Sequence, residues 1–193
     1  MIPKIIHQAW VSNNDLKPEY YPWRYSWAKY NPEYTFMFWE MNNIPFDLLS
    51  PSGRELMQMK LKFTVKSDII RWELLYLFGG IWADMDMECQ KSFDAFLEHE
   101  SFAGVSYYPD GIGNALVGSI AGTELVKEMR DATNREILSD IPRSFDVKRL
   151  NEAHGATFVG KNFLCRVKKI YPRHYFYPYH PVDAWGIRKS GKA

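Results

Sequence analysis

Two carboxylates one residue apart, Asp84 and Asp86, follow the short apolar run Ile81-Trp82-Ala83. On an extended chain alternate residues share a face, so this spacing sends both acids, and Trp82 with them, to one side. Two carboxylates held together at a strand end repel each other unless a cation lies between them, directly or through water. Hard oxygen donors suit Mg²⁺ or Mn²⁺. Such ions are usually held by one or two protein carboxylates while substrate phosphates complete the shell. The pair therefore points to a nucleoside diphosphate as ligand.

Something must deliver these acids, and the residues before them supply it. Val65, Ile69, Trp72 and Tyr76 form one helical stripe and Ile70, Leu74 and Phe78 a second, which predicts a helix over 64–78 buried on two sides. Gly79 ends it and Gly80 frees the turn into a strand over 81–83. Asp68 and Arg71 lie three apart on the narrow strip between the stripes, with Leu75 beside them. Two readings of the pair stand open. It is an ion pair on a solvated edge, or it reaches a polar ligand, because charges beside so much apolar surface are costly unless paired or bound. Trp82 is likewise either core or the wall of a ligand site.

The remaining pattern alternates strands and helices. Strands are expected over 5–10, 34–39, 87–89, 102–107 and 115–119, with a Pro-Asp-Gly turn region over 108–113. Helices are expected from about Glu19 with Pro22 in the first turn, after Ser52, and over 93–98, 123–138, 145–153 and 162–169. In the first of these Tyr20, Trp23, Trp27 and Tyr30 share a face assigned to the core, while Tyr21 and Tyr25 fall opposite. The order predicts an α/β sandwich on a mostly parallel sheet, which binds ligands at the carboxyl ends of its strands. Trp10, Asp84 and Asp86 all fall at such ends.

Composition sets limits. The chain has 193 residues, enough for one domain with a sizeable core, and neither a repeat nor a linker divides it. A net charge of +1 gives no electrostatic case for nucleic acid. Cys89 and Cys165 lack metal-ligand spacing and are expected to be reduced and structural. No apolar run approaches a membrane span, and the start Met1-Ile2-Pro3-Lys4 lacks the build of a signal peptide.

The run Ser67-Asp68, Arg71, Leu75-Tyr76, Gly79-Gly80-Ile81-Trp82, Asp84, Asp86 resembles the sugar-binding region of glycosyltransferases with a DXD motif. That group includes the family 32 enzymes, among them yeast-type mannosyltransferases and bacterial capsule or lipopolysaccharide transferases; the clostridial glucosylating toxins carry a more distant version. The opening Ile2-Pro3-Lys4-Ile5-Ile6-His7 with Trp10 is similar to the family's first strand, and Asn114-Ala115-Leu116-Val117-Gly118-Ser119 to its Asn-containing strand. Val159-Gly160-Lys161-Asn162-Phe163-Leu164 and Tyr175-Phe176-Tyr177-Pro178 are similar to two later segments, although Lys161 stands where the family has Pro.

The resemblance implies a GT-A, Rossmann-like fold over residues 1–193 and a retaining transfer of a hexose from a UDP- or GDP-sugar to a glycan or lipid-linked acceptor, with Mn²⁺ or Mg²⁺ as cofactor. On this reading Asp86 ligates the metal and Asp84 touches it through water or contacts the ribose. Asp68 accepts from sugar hydroxyls, and Arg71 binds sugar or phosphate oxygen. Trp10 stacks on the base, and Trp82 and Asn114 line the donor site. The family's late His-Ser-Trp-like segment is replaced here by His180, Asp183 and Trp185, of which His180 or Asp183 is a candidate metal ligand. Eukaryotic relatives carry a membrane anchor, so its absence leads to the expectation of a bacterial or viral cytoplasmic enzyme, with the tail Arg188-Lys189 and Lys192 available for peripheral membrane contact.

Two other functions compete. A phosphatase of the haloacid dehalogenase type also opens with a strand and Asp-x-Asp, but needs a downstream Lys and a later acidic pair that do not stand out here. A non-catalytic nucleotide-sugar-binding module would keep the fold; intact Asp68, Arg71, Asp84 and Asp86 argue against it.

Overall fold

A computed structural model describes residues 1–106, 111–140 and 166–178. Six strands form one mixed sheet: β1 (Ile5–Ala9), β2 (Thr35–Trp39), β3 (Gly80–Ala83), β4 (Ser101–Val105), β5 (Ile112–Ser119) and β6 (Lys169–Tyr171), in the order β2-β1-β3-β5-β4-β6. Only β5 runs against the rest, pairing antiparallel with β3 and β4, while β1–β2, β1–β3 and β4–β6 are parallel. The α-helices among the described residues are α1 (Tyr21–Tyr30), α2 (Pro51–Gln58), α3 (Phe63–Phe78) and α4 (Glu124–Asp140). This is an α/β domain with a largely parallel central sheet flanked by helices, consistent with the GT-A, Rossmann-like architecture.

Each face of the sheet has its own core. One is filled by α2, α3 and α4 against Ala9, Trp39, Trp82 and Val117. The other joins Ile6, Ile81, Ala83 and Leu116 to Trp27 of α1, Phe93, Phe102 and Phe176. Helix α3 is the centre of the first core. Its residues 69–75 are all buried, including Arg71 and Glu73, so it is enclosed more completely than two apolar stripes require. Buried Glu73 is held by hydrogen bonds: it accepts from the backbone N–H of Ser50 at 3.0 Å, from the Ser50 hydroxyl, and from Asn134 Nδ2 at 3.2 Å. That network ties the start of α2 to α3 and α4.

The passage from α3 into β3 depends on two glycines. Gly79 has φ +62° and Gly80 φ +96°, conformations costly for any residue with a Cβ. A Cβ on Gly80 would also lie 2.6 Å from the carbonyl oxygen of Ile5, so β1 and β3 meet only because none is there. Buried His7 fastens the same point. Its Nε2–H donates to the Gly79 carbonyl at 2.8 Å while its Nδ1 accepts from the Trp39 indole at 3.1 Å, and the ring centre lies 6.1 Å from that of Trp39 and 6.2 Å from that of Phe78. Burial holds His7 neutral, with its pKa lowered to about 4.

Several sequence expectations are corrected. Residues 87–89 form no strand, because the chain turns at the end of β3: Met87 N–H donates to the Asp84 carbonyl at 3.0 Å. The helix expected over 93–98 is a single 3₁₀ turn, Asp94–Phe96, whose Phe93 packs into the aromatic cluster of the second core. Tyr30, expected in the core, is 36% exposed at the end of α1, with Lys29 over its ring. Trp27 is buried on that helix and Trp23 is intermediate, while Tyr21 and Tyr25 are exposed as expected. Of the helix expected over 162–169, the described end instead leads into β6 at Lys169. The helix expected over 145–153 lies outside the described residues. No helix among the described residues is long and apolar enough to cross a membrane.

Candidate functional site

Parallel strands β1 and β3 end side by side, and the chemistry-bearing residues gather beyond their carboxyl ends. Helix α3 contributes Asp68 and Arg71, β3 leads out to Asp84 and Asp86, and β5 adds Asn114. Arg71 is the hub. Its Nη1 donates to Asp68 Oδ1 at 2.5 Å and its Nη2 to Asp84 Oδ1 at 3.0 Å, with only 3% of its side chain exposed. The Trp82 indole N–H donates to the same Asp84 oxygen at 2.6 Å, and Asn114 Nδ2 donates to Asp68 Oδ1 at 3.2 Å.

These contacts bear on two open readings. Asp68 and Arg71 do form an i,i+3 ion pair, but a buried one that extends to Asp84 rather than a pair on a solvated edge. Trp82 lies in the core, 1% exposed, with its indole N–H turned to Asp84. The guanidinium also lies 5.3 Å from the centre of the Trp82 ring. Two of its five N–H donors go to Asp68 and Asp84, so Arg71 serves first as a clamp on two carboxylates.

Charge is unbalanced. Burial works against the Arg71 charge, yet Asp84 and Asp68 together hold its pKa above the ordinary value. Burial raises Asp84 from 3.8 to about 6; Arg71 and the Trp82 N–H lower it, while the charges of Asp86 and Asp68 push it further up. Two carboxylates thus share one guanidinium, and the charge of Asp86 acts on Asp84 beside them. Asp86 is exposed on the turn after β3, not on an extended strand, so the alternation argument correctly joined Trp82 to Asp84 but did not describe Asp86.

The site fits a divalent ion. Arg71 and Trp82 both bind Oδ1 of Asp84, and a second carboxylate stands exposed two residues on. Among the described residues no group of three or more His, Cys, Asp or Glu could form a closed cage. His180, Asp183 and Trp185 lie outside the described residues.

Trp10 sits just past β1, with its indole N–H donating to the Asn14 carbonyl at 2.6 Å and its ring against Tyr20 and Phe63. A cavity of about 520 Å³ opens beside it toward the end of β2, lined among others by Asn14, Tyr21, Arg24, Phe38 and Glu40. Asp68, Arg71, Asp84 and Asp86 do not line this cavity. Trp10 is the residue on the cavity wall that sequence reasoning singled out. Sequence reasoning also missed Tyr177, whose phenol reaches the cluster. Burial, with Asp84 and Asp86 adding, drives its pKa well above the ordinary range.

Residues 23–103 match the model of a family described as a glycosyltransferase sugar-binding region containing a DXD motif. The match contains Asp68, Arg71, Trp82, Asp84 and Asp86. This chain carries a DXD-type glycosyltransferase sugar-binding region. Similar curated proteins include an inositol phosphoceramide mannosyltransferase of Schizosaccharomyces pombe, 27% identical over 63% of this chain and 34% of its own length. A mannosyl phosphorylinositol ceramide synthase of Saccharomyces cerevisiae is 29% identical over 62% of this chain and 32% of its own. An uncharacterized glycosyltransferase of Acanthamoeba polyphaga mimivirus is 33% identical over 50% of this chain and 40% of its own. The chain therefore spans about a third of the length of the yeast relatives it matches. Among solved structures, the PaToxG glycosyltransferase superposes with a TM-score of 0.66 at 15% identity, covering 99% of this chain and 76% of that one. That likeness is one of fold.

Proposed function

We propose that the protein is a metal-dependent, retaining glycosyltransferase that moves a hexose from a nucleotide-diphosphate sugar to a glycan or lipid-linked acceptor. The observation that carries this reading is the buried Arg71 clamp. It holds Asp68 and Asp84 at the carboxyl ends of parallel strands, beside an exposed Asp86. The names of the yeast relatives, which specify mannose and inositol phosphoceramide, support a hexose and a lipid-linked acceptor.

In this reading Asp86 and Asp84 would hold Mn²⁺ or Mg²⁺. When bound, that ion supplies Lewis-acid stabilisation of the departing diphosphate. Asp68, held by Arg71 and Asn114, would accept hydrogen bonds from the sugar hydroxyls. Trp10 and the cavity beside it receive the nucleoside. No side chain is required to deprotonate the acceptor if the departing diphosphate takes that proton on the same face, so the chain's task is to position groups and place charge. A haloacid dehalogenase-type phosphatase would need its first Asp free as nucleophile, whereas Asp84 Oδ1 already accepts from Arg71 and Trp82.

The test is a panel of UDP- and GDP-sugars incubated with the purified protein and Mn²⁺, with and without EDTA. Release of nucleoside diphosphate from one donor, lost on chelation, is the expected result. Release of inorganic phosphate would favour the phosphatase, and tight binding without turnover the non-catalytic module.

A further inference from the structure

We propose that Tyr177 is a positioning residue of the donor site, acting on Asp84 and Asn114 through a bulge in β5; the proposal rests on the function given above. The β4–β5 ladder pairs Ala103 with Val117 and then Gly104 with Gly113, leaving Asn114, Ala115 and Leu116 without partners on β4. These are the residues that hold the site. Leu116 pairs with Ala83, the Ala115 carbonyl accepts from the Asp84 backbone N–H at 2.8 Å, and Asn114 Nδ2 donates to Asp68. The bulge thus feeds both clamped carboxylates.

Tyr177 fills the gap. It follows a 3₁₀ turn, Arg173–Tyr175, and its phenol oxygen accepts from the Leu116 N–H at 3.0 Å, the bond a β4 carbonyl would otherwise receive. The slot exists because two strand residues lack side chains. A Cβ on Gly113 would stand 2.3 Å from Tyr177 Cζ, and one on Gly104 would stand 2.5 Å from Phe176 Cδ2 and 3.3 Å from Tyr177 Cε2. Next to it, Phe176 is anchored in the second core, its ring 5.3 Å from Phe96 and 5.8 Å from Phe102. A rigid anchor therefore sets the height of the phenol, and the phenol sets the bulge.

Tyr177→Phe keeps the ring in its slot and removes only the acceptor. Amide hydrogen exchange at Asp84 should quicken about tenfold while exchange at Ile81 is unchanged, because the bulge loosens locally. On the donor the wild type turns over, kcat/KM should fall about tenfold or more, since a displacement near 1 Å is worth up to about a hundredfold. In an Asn114→Ala background the same change should cost much less. A merely structural role would lower the melting temperature, leave kcat/KM below it untouched, and slow or speed no amide selectively; that pattern overturns the proposal. If the wild type turns over no nucleotide sugar, the proposed function fails by itself, and exchange at Asp84 still decides the positioning claim. Should Tyr177→Phe not fold, Gly104→Ala, which pushes the Phe176–Tyr177 edge outward from β4, is read in the same way.

Discussion

His7 connects the fold to the site, and its titration gives a magnitude that can be checked. In the folded protein its pKa lies near 4 against an ordinary value of 6.5. Between these values the unfolded chain binds a proton that the folded one does not, so stability rises with pH. The contribution is complete above about pH 6.5 and lost as pH falls through 4. The difference corresponds to roughly 3 kcal/mol. Asp84 works in the opposite sense: its pKa is raised to about 6, so over pH 4–6 the folded state holds the extra proton and stability falls as pH rises. Because 28% of the Asp84 side chain is exposed, solvent screens part of that effect. The wild-type stability curve is therefore expected to be flatter than either group alone would make it. His7→Phe separates them. Urea unfolding in EDTA should show the variant destabilised at pH 7, where Gly79 and Trp39 lose their partner, with the deficit shrinking by about 3 kcal/mol on going to pH 4. A deficit that is the same at both pH values would refute a neutral, buried His7.

Three further outcomes follow from the same geometry. Arg71→Met should destabilise the fold by about 3 kcal/mol or more by leaving Asp68 and Asp84 facing each other uncompensated, and the loss should be smaller at pH 5 than at pH 8 as Asp84 takes up a proton; thermal melts at the two pH values check it. Gly80→Ala should cost several kcal/mol, since its Cβ meets the Ile5 carbonyl at a φ of +96°, and chemical denaturation that shows a change under about 0.5 kcal/mol would contradict the account of the β1–β3 junction. An α-linked nucleotide sugar should give an α-glycoside, read by proton NMR of the first-formed product; a β-linked product would sink the retaining assignment.

Apart from the strand expected over 87–89 and the helix over 93–98, the order of elements up to β5 was legible because it is written in local signals. The helix over 64–78 shows its two stripes, Gly79 its stop, and Asn31-Pro32 the end of α1. Proximity of Asp68, Arg71 and Asp84 was partly legible from spacing and resemblance. What spacing could not give was the number of partners: a guanidinium reaching two carboxylates depends on how α3 lies across β3, which is tertiary packing. The strand expected over 87–89 failed for a related reason. Its apolar residues do enter a core, with Cys89 buried and the Met87 carbonyl accepting from the Trp27 indole, but as turn and coil rather than as a ladder. The networks of His7 and Glu73 were missed because a single His or Glu in an apolar run carries no periodic signal. Tyr177 was seen only as part of a Phe-Tyr-Pro segment; its role needs the glycines at 104 and 113, far away in the chain.

The central claim is that the acids after β3 bind the metal that donor turnover requires. Mn²⁺-dependent release of nucleoside diphosphate should be measured for the wild type, Asp84→Ala and Asp86→Ala, with a melting curve for each. The account predicts that Asp86→Ala retains its fold and loses turnover at every Mn²⁺ concentration, with Asp84→Ala less severe. Near-normal turnover by Asp86→Ala without added metal would contradict it.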